Sequence, residues 1–521
     1  MKIKQILTLF SVLLLTASVS AQVEERTRPA EWDQLVLGGR HMDRFETMPE
    51  SRVARANWGA EAVRRRYVDN GIEQDGMSFW GGNILQDEQG LYHMYVCGWP
   101  EDSPKGHMFW SNSTVFHATS KNLSGPYKVQ NSIGKGHNPE AYILEDGRIL
   151  VYTIDGYYTA DKPEGPWIFG KFTFDQRGHR IIEGLSNLTF CRRPDGSRLM
   201  VCRGGGVWIS RDGLQPWCQI TSERIYPPVR GEFEDPIVWK DELQYHLIVN
   251  DWLGRIAWYE RSLDGLHWIV EPGEAYTYAF SKHADGTVEP WFKYERAKVF
   301  QDEHGRVIQM NFAVIDTLKN EDKPRDTHSS KNICISMNKG LLLEVLNTVP
   351  IDEKTKKIEL RIKGEEPNPN APDEAGRRGF NPAEEVDVKS LTLGSYKEVN
   401  YGRGARAIKS RQEGHDLIVT FSGKGSGIDA EEWAPKLIGR NKEGKLLWGY
   451  AKLPYVNYQP AVLSASAPRV EKGKEVVEIG NFGLSASQAQ TMTVRDTKGQ
   501  EHRLDVPVLL PYEKMTLSVE R

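Results

Sequence analysis

Short apolar runs separated by turns rich in aspartate and glycine occupy the chain from Trp80 to about Val345. Leu85-Gln86-Asp87-Glu88-Gln89-Gly90 precedes Leu91-Tyr92-His93-Met94-Tyr95-Val96, and Leu144-Glu145-Asp146-Gly147 precedes Ile149-Leu150-Val151-Tyr152. Turns of this kind between alternating runs signal antiparallel strand pairs. The same plan recurs at Pro194-Asp195-Gly196, at Lys240-Asp241-Glu242 and at Asp302-Glu303-His304-Gly305. A second phrase has a longer period: Ser120 to Gly125-Pro126-Tyr127, Thr159 to Gly165-Pro166-Trp167, Ser210 to Pro216-Trp217, and Ser262 to Trp268. Its copies lie roughly 40 to 60 residues apart, the period of propeller blades. The pattern predicts an all-β chain whose main body is a β-propeller, with five blades counted and up to seven accommodated by the flanks.

The flanks read differently. Residues 22–79 mix charge with scattered apolar positions (Trp32, Leu35, Leu37, Trp58, Ala62, Val63, Tyr67), a pattern that permits short helices in an N-terminal capping segment. The propeller is assigned to 80–350 and a linker or long loop to 351–385, where Pro, Gly and charge dominate. From 386 to 521, short alternating strands such as Asp416–Phe421, Lys445–Tyr450 and Thr491–Val494 predict one or more β-sandwiches of immunoglobulin type. Lys2 and Lys4 before the apolar run Ile6–Val19, then Val19-Ser20-Ala21, read as a signal peptide over residues 1–21. The expectation is a periplasmic or secreted protein with no membrane span.

Composition narrows the class. A chain of 521 residues exceeds one ordinary core, and a net charge of -4 gives no basic field for nucleic acid. The five cysteines are sparse, so buried thiols are expected, with Cys191 and Cys202 one conceivable pair. Fifteen tryptophans and twenty tyrosines supply flat faces suited to sugar rings, although most such residues fill cores. No His-x-x-x-His pair with a partner carboxylate occurs, so no metal ligands are assigned and no cofactor is named. A structural calcium or zinc ion at the channel is left open.

The residues at the inner strand ends carry the candidate chemistry. Glu234-Asp235-Pro236-Ile237-Val238-Trp239 and the Gly-Pro-Trp phrases resemble the five-bladed glycoside hydrolases that include arabinanases and β-xylosidases. That resemblance implies hydrolysis by paired carboxylates, for which Glu140, Glu234, Asp235 and Glu295 are available. The first-blade stretch Trp80-Gly81-Gly82-Asn83-Ile84 has no aspartate to act as base, and the second opens with Gly136-His137-Asn138-Pro139-Glu140.

A second set of residues resembles the propeller-fold ulvan lyases: His117 in Ser113–Ser120, His137-Asn138-Pro139 twenty positions later, and Arg203 in Met200–Gly206. That likeness implies β-elimination on a uronic-acid oligosaccharide of an anionic polysaccharide, by a lyase or a dehydratase. His117 and His137 would be base and acid, since neutral imidazole suits proton abstraction, and Arg203 would steady the charge on the uronate carboxylate. Asn187 stands where those lyases carry tyrosine. Asn138, Asn187, Glu234, Asp235 and Trp80 are the expected substrate contacts. Plainer roles stand beside these: Trp80 as core, His117 on an outer strand, and Arg203 in an ion pair with Glu183 or Asp235. The favoured expectation is a carbon-oxygen lyase, with a propeller glycosidase and a non-catalytic glycan-binding propeller as alternatives.

Overall fold

The computed structural model describes residues 26–54, 63, 66–278 and 280–519. The expected signal peptide therefore lies outside the described residues, as do Trp58 and Ala62 of the capping segment. The chain is built of strands, with only three short α-helices among the described residues.

Five sheets follow one another along the chain, antiparallel except where β9 (Phe174–Asp175) pairs parallel in the third. The first contains β1 (Met77–Gln86), β2 (Tyr92–Pro100), β3 (Thr114–Ser120) and β4 (Lys128–Lys135). The second contains β5 (Glu140–Ile143), β6 (Ile149–Thr153), β7 (Gly156–Ala160) and β8 (Ile168–Gly170). In the third, β9 (Phe174–Asp175) joins the edge of β10 (Thr189–Arg192), β11 (Arg198–Val201), β12 (Val207–Ser210) and β13 (Trp217–Gln219). The fourth runs β14 (Phe233–Lys240), β15 (Tyr245–Asp251), β16 (Ile256–Ser262) and β17 (Ile269–Glu271). The fifth has β18 (Lys293–Gln301), β19 (Val307–Ile315) and β20 (Ser330–Ser336).

Both sequence phrases have a fixed place in these sheets. The aspartate turn joins the first and second strands every time, and its carboxylate accepts backbone N–H groups of the turn: Asp87 from Gln89 and Leu91, Asp146 from Arg148, Asp195 from Ser197, Asp241 from Leu243 and Gln244, and Asp302 from His304 and Arg306. The Ser-to-Trp/Tyr phrase joins the third strand to the fourth in the first four sheets.

Successive sheets bury their apolar faces against one another. Tyr95 and Val115 pack with Ala141 and Val151, Tyr142 and Tyr152 with Phe190 and Trp217, Leu199 with Val238 and Leu247, and Ile248 with Met310 and Phe312. Ile308 and Cys334 of the fifth sheet pack back on Met94 and Ala118 of the first, so the five sheets close on themselves. Because both faces are covered, second strands such as β2, β6, β11 and β15 are buried almost throughout rather than alternating, and the polar residues they carry are buried with them. All five cysteines are free thiols, and Cys191 and Cys202 are not bridged.

The remainder departs from the expected sandwich. β21 (Leu343–Val345), β22 (Lys357–Ile362), β23 (Val386–Gly394), β24 (Ala405–Glu413), β25 (Asp416–Ser422), β26 (Lys436–Asn441) and β27 (Leu446–Lys452) form one closed barrel, in the order β21-β22-β25-β24-β23-β26-β27. Parallel pairing of β21 with β27 closes it, so this sheet has no free edges and its core (Leu360, Leu393, Phe421, Leu437) lies inside a single sheet. Strand alternation alone does not distinguish a closed sheet from two stacked ones. The stretch expected as a linker supplies barrel strand β22, and Glu365 within it takes a bidentate pair from Arg306 at 2.8 and 2.7 Å. Beyond the barrel lie β28 (Leu463–Ala465), β29 (Arg469–Glu471), β30 (Lys474–Asn481) and β33 (Lys514–Ser518) in one sheet, with the hairpin β31 (Gln490–Arg495) and β32 (Glu501–Val506) packed through Val477, Ile479, Val494 and Val506.

Barrel and sheets are joined by a buried ionic network. Glu271 at the end of β17 is paired with Arg261 and, at 3.5 Å, with Lys436 of the barrel, and it accepts from Tyr450 Oη at 2.8 Å. Burial would raise its pKa, but Lys436, Arg261 and Arg44 outweigh burial and hold the carboxyl far below its usual value. Arg44 of the N-terminal segment lies 3.8 Å over the Trp448 ring.

Candidate active site at the first strands

One residue within or just before each sheet's first strand adopts the left-handed region: Gly81 (φ 62), Asn138 (φ 53), Asn187 (φ 50), Asp235 (φ 55) and Arg296 (φ 46). Glycine and asparagine tolerate this conformation; aspartate does so less readily, and for arginine it is strained. The strand register slips at the same place, between Trp80 and Asn83, Glu234 and Ile237, and Glu295 and Lys298. Each such bulge turns the residues on either side to new directions.

The consequences repeat around the ring. Two positions after the left-handed residue, Asn83, Glu140 and Thr189 accept from the backbone N–H of Ala141, Phe190 and Val238 in the following sheet, at 2.8, 2.7 and 3.2 Å. The left-handed residues join through their side chains. Asn138 Nδ2 donates to Asn187 Oδ1 at 2.8 Å, Asn187 Nδ2 to Asp235 Oδ1 at 3.0 Å, and Arg296 Nη1 to the same Oδ1 at 3.1 Å. A Cβ at Gly81 would stand 3.5 Å from Arg296 Cβ and 3.8 Å from Asn138 Cα, so the fifth member lies beside these two.

Trp80, His137, Ser186, Glu234 and Glu295 immediately precede the five left-handed residues. Two of them are carboxylates, and their surroundings drive them apart. Burial, then the charges of Asp235 and Glu295, push the Glu234 pKa up to about 7. Glu234 accepts from Asn187 Nδ2 at 3.3 Å and lies 3.6 Å from Arg203. Burial would also raise Glu295, but the ammonium groups of Lys319 and Lys293 outweigh it and hold its carboxyl below the usual value. Lys293 donates to Oε1 at 3.3 Å and Lys319 to Oε2. At neutral pH the pair thus offers one partly protonated carboxyl beside one firmly ionised one.

The expected substrate contacts Asn138, Asn187, Glu234 and Asp235 are brought together here. Trp80 is at the same level but is 1% exposed, with its ring 4.7 Å from Lys319 Nζ and edge-on to His107. It packs the site floor and offers no open face to a sugar. Arg203 is half-exposed and bridges Glu183 at 3.3 Å and Glu234, whereas Asp235 takes Arg296 instead.

The two histidines do not assemble. His137 holds a ring position, but its Nδ1 is engaged by Ser113 Oγ at 3.0 Å and Cys97 Sγ at 3.4 Å. Burial, with Lys319 and Arg296 nearby, takes its pKa well below the ordinary imidazole value. His117 is fully buried in β3 and closed into a chain: Asp87 Oδ2 to His93 Nε2 at 3.1 Å, His93 Nδ1 to His117 Nε2 at 2.8 Å, and His117 Nδ1 to Asn131 Oδ1 at 3.0 Å. The fourth sheet repeats the device as Asp241, His246 and Tyr259, at 2.9 and 2.7 Å. This arrangement ties a turn aspartate to its sheet, and both nitrogens of His117 are taken. The base–acid pair assigned to His117 and His137 is therefore corrected, because a period of strands does not reveal which strand of a sheet a side chain occupies.

Sequence reasoning did not assign Arg296, Lys293 or Lys319, and it counted Glu295 only among the carboxylates left for hydrolysis. The spacing of the first strands signals Glu295, which stands before its left-handed residue as Glu234 does. Lys319 sits in the connection between β19 and β20, where no pattern marks it. Among the described residues, no group of three or more His, Cys, Asp or Glu side chains is placed to hold a metal ion, and no helix is long and apolar enough to cross a membrane.

No family model and no curated protein matches this chain. Similar solved structures include a family 117 glycoside hydrolase from the marine bacterium Zobellia galactanivorans, at 12% identity and TM-score 0.38, covering 56% of this chain and 92% of that one. A family 43 β-1,3-galactosidase is similar at 13% identity and TM-score 0.37, covering 91% and 94%. A family 43 endo-arabinanase from Bacillus licheniformis is similar at 12% identity and TM-score 0.32, covering 51% and 96%. Likenesses at this level leave the family of the chain undetermined. The expectation that a carbon-oxygen lyase is favoured over a glycosidase is overturned by the placement of His117, its assigned base, both of whose ring nitrogens are taken within the first sheet.

Proposed function

We propose that this protein is a glycoside hydrolase of propeller type that uses Glu234 as general acid and Glu295 as its ionised partner. The observation that carries this reading is the pair itself: two carboxylates at equivalent positions of successive sheets, one pushed up to about 7 and the other held down by two lysines. Divergent environments of this kind separate an acid from a base in glycosidases. Protonated Glu234 gives its proton to the glycosidic oxygen as the bond from that oxygen to the anomeric carbon breaks. Glu295 stabilises the positive charge on the sugar ring, and water then adds at the anomeric carbon, giving one proton to the Glu234 carboxylate and so restoring the acid. Asp235, fixed by Asn187 and Arg296, keeps the Glu234 proton in place by its negative charge. Arg203 and Asn187 lie against Glu234 and are placed to meet sugar hydroxyls.

The same reading takes the five closed sheets as a five-bladed propeller and β28–β33 as a small sandwich beside the barrel. It places the enzyme outside the cytoplasm, on the strength of the leader-like residues 1–21. The test is incubation with a panel of plant and algal polysaccharides in ¹⁸O-labelled water. Reducing ends carrying one labelled oxygen, lost in Glu234→Gln, support hydrolysis. Absence of cleavage across the panel, with glycan binding retained, sinks it in favour of a binding protein.

A further inference from the structure

Beside Glu295, between the fourth and fifth sheets, opens a cavity of about 450 Å³. Its wall includes Trp252, Tyr278, Phe292, Lys293 and Arg255. Lys293 links it to the carboxylate pair, donating to Glu295 while its ammonium lies 4.4 Å over the Trp252 ring. This is the size and mixed character of a small-ligand subsite.

The charges of the wall are unequally paired. Asp251 is bound by Arg26 and by the backbone N–H groups of Glu232 and Gly254. Glu274 is paired with Arg28 at 2.7 Å. Arg255 has no carboxylate partner among the described residues: its guanidinium donates from Nη2 to the Phe292 carbonyl at 3.2 Å, and lies 4.7 Å from the Phe292 ring and 5.7 Å from that of Tyr278. Its backbone is left-handed, at φ 51, a conformation that costs energy for arginine and that concentrates at ligand-binding positions. Tyr278 is 63% exposed at the rim, so a face of its ring is open to the cavity mouth.

We infer that this cavity is a subsite for a sugar bearing an anionic substituent, a carboxylate or a sulfate ester, received by Arg255 and Lys293 with the ring laid on Trp252 or Tyr278. The inference builds on the proposed hydrolase and sets its substrate class. A guanidinium with unengaged N–H groups matches either oxyanion, and the aromatic faces match a pyranose ring.

Binding separates the inference from the catalytic reading, since it needs no turnover. Titration calorimetry compares trigalacturonate with its carboxyl-reduced form, and a carrageenan tetrasaccharide with its desulfated form. The full chain is expected to prefer at least one anionic member over its neutral partner by about tenfold or more, with affinity falling as salt rises. The carboxylate and sulfate pairs identify which ester or acid it is. Arg255→Asn, a residue that accepts a left-handed backbone, is expected to erase the preference. Equal affinity for charged and neutral partners, or a preference unchanged in Arg255→Asn, overturns the inference. The wild-type comparison decides the matter if the variant fails to fold. An anion preference without hydrolysis would keep the subsite and reject the hydrolase, and hydrolysis of neutral glycans without that preference would do the reverse.

Discussion

Glu234 and Glu295 stand in the same place in two successive sheets, each immediately before a left-handed residue, and those two residues, Asp235 and Arg296, are ion-paired with each other at 3.1 Å. The backbone irregularity that orients the two carboxylates is therefore locked by a salt bridge between its own members. This link between strand bulge, buried pair and carboxylate environment makes the site testable piece by piece.

Removing the Glu234 proton should remove catalysis on unactivated bonds. Glu234→Gln is expected to lower kcat by about 10²- to 10⁴-fold on natural glycans and by much less on aryl glycosides whose leaving group needs no protonation. Parallel kinetics on the two substrate types check this, and equal losses would deny Glu234 the acid role.

The pH profile should follow from the same pair. Glu234, raised to about 7, is active as acid below that pH, so kcat/KM should fall as pH rises through about 7. Glu295, held low, stays ionised down into acid solution, and the acidic limb should lie below the ordinary glutamate value. A profile flat between pH 5 and about 8 would contradict the Glu234 assignment, and an acidic limb above the ordinary glutamate value would contradict that of Glu295.

Asp235 acts on Glu234 by charge, so Asp235→Asn should draw the basic limb toward lower pH, because the anion that keeps the proton on Glu234 is gone. Asparagine accepts φ 55, which keeps the strand bulge in place. The uncompensated Arg296, 1% exposed in its side chain, should make the variant about 3–5 kcal/mol less stable. Kinetics across pH and urea unfolding read the two effects separately.

His117→Asn should injure stability and spare chemistry. Breaking the Asp87–His93–His117–Asn131 chain leaves buried partners unpaired, at about 1–3 kcal/mol. Turnover per folded molecule should stay within about threefold of the parent. Loss of turnover in a fully folded variant would restore a catalytic role to that histidine.

The Glu271 network should set acid sensitivity. Its folded pKa is depressed, so its contribution is complete above the unfolded glutamate value and is lost as pH falls below that value toward the folded one. Glu271→Gln, leaving Arg261 and Lys436 buried without their anion, is expected to cost about 3–5 kcal/mol and to flatten the acid limb of stability against pH.

Much of the architecture was written locally. The aspartate turns and the Ser-to-Trp phrase act within a few residues, through carboxylates that accept nearby backbone N–H groups, so they were legible and fell at equivalent connections of the sheets. Asn138, Glu234 and Asp235 were legible as candidates because Asn-Pro and Asp-Pro open strands in a recognisable way, whereas Asn187, followed by Leu188, was a candidate only through the lyase-like spacing. His117 misled because strand-by-strand counting does not say which side chains face the centre. The barrel was missed because its closure depends on parallel pairing of β21 with β27, about a hundred residues apart.

Local chemistry in the chain thus determined that it folds as repeated antiparallel sheets and which turns join them, since turn geometry and strand alternation need no distant partner. Only the tertiary structure decided that Glu234 and Glu295 differ. Their pKa values are set by Asp235, Lys293 and Lys319 across space and by burial that exists only once the five sheets have closed.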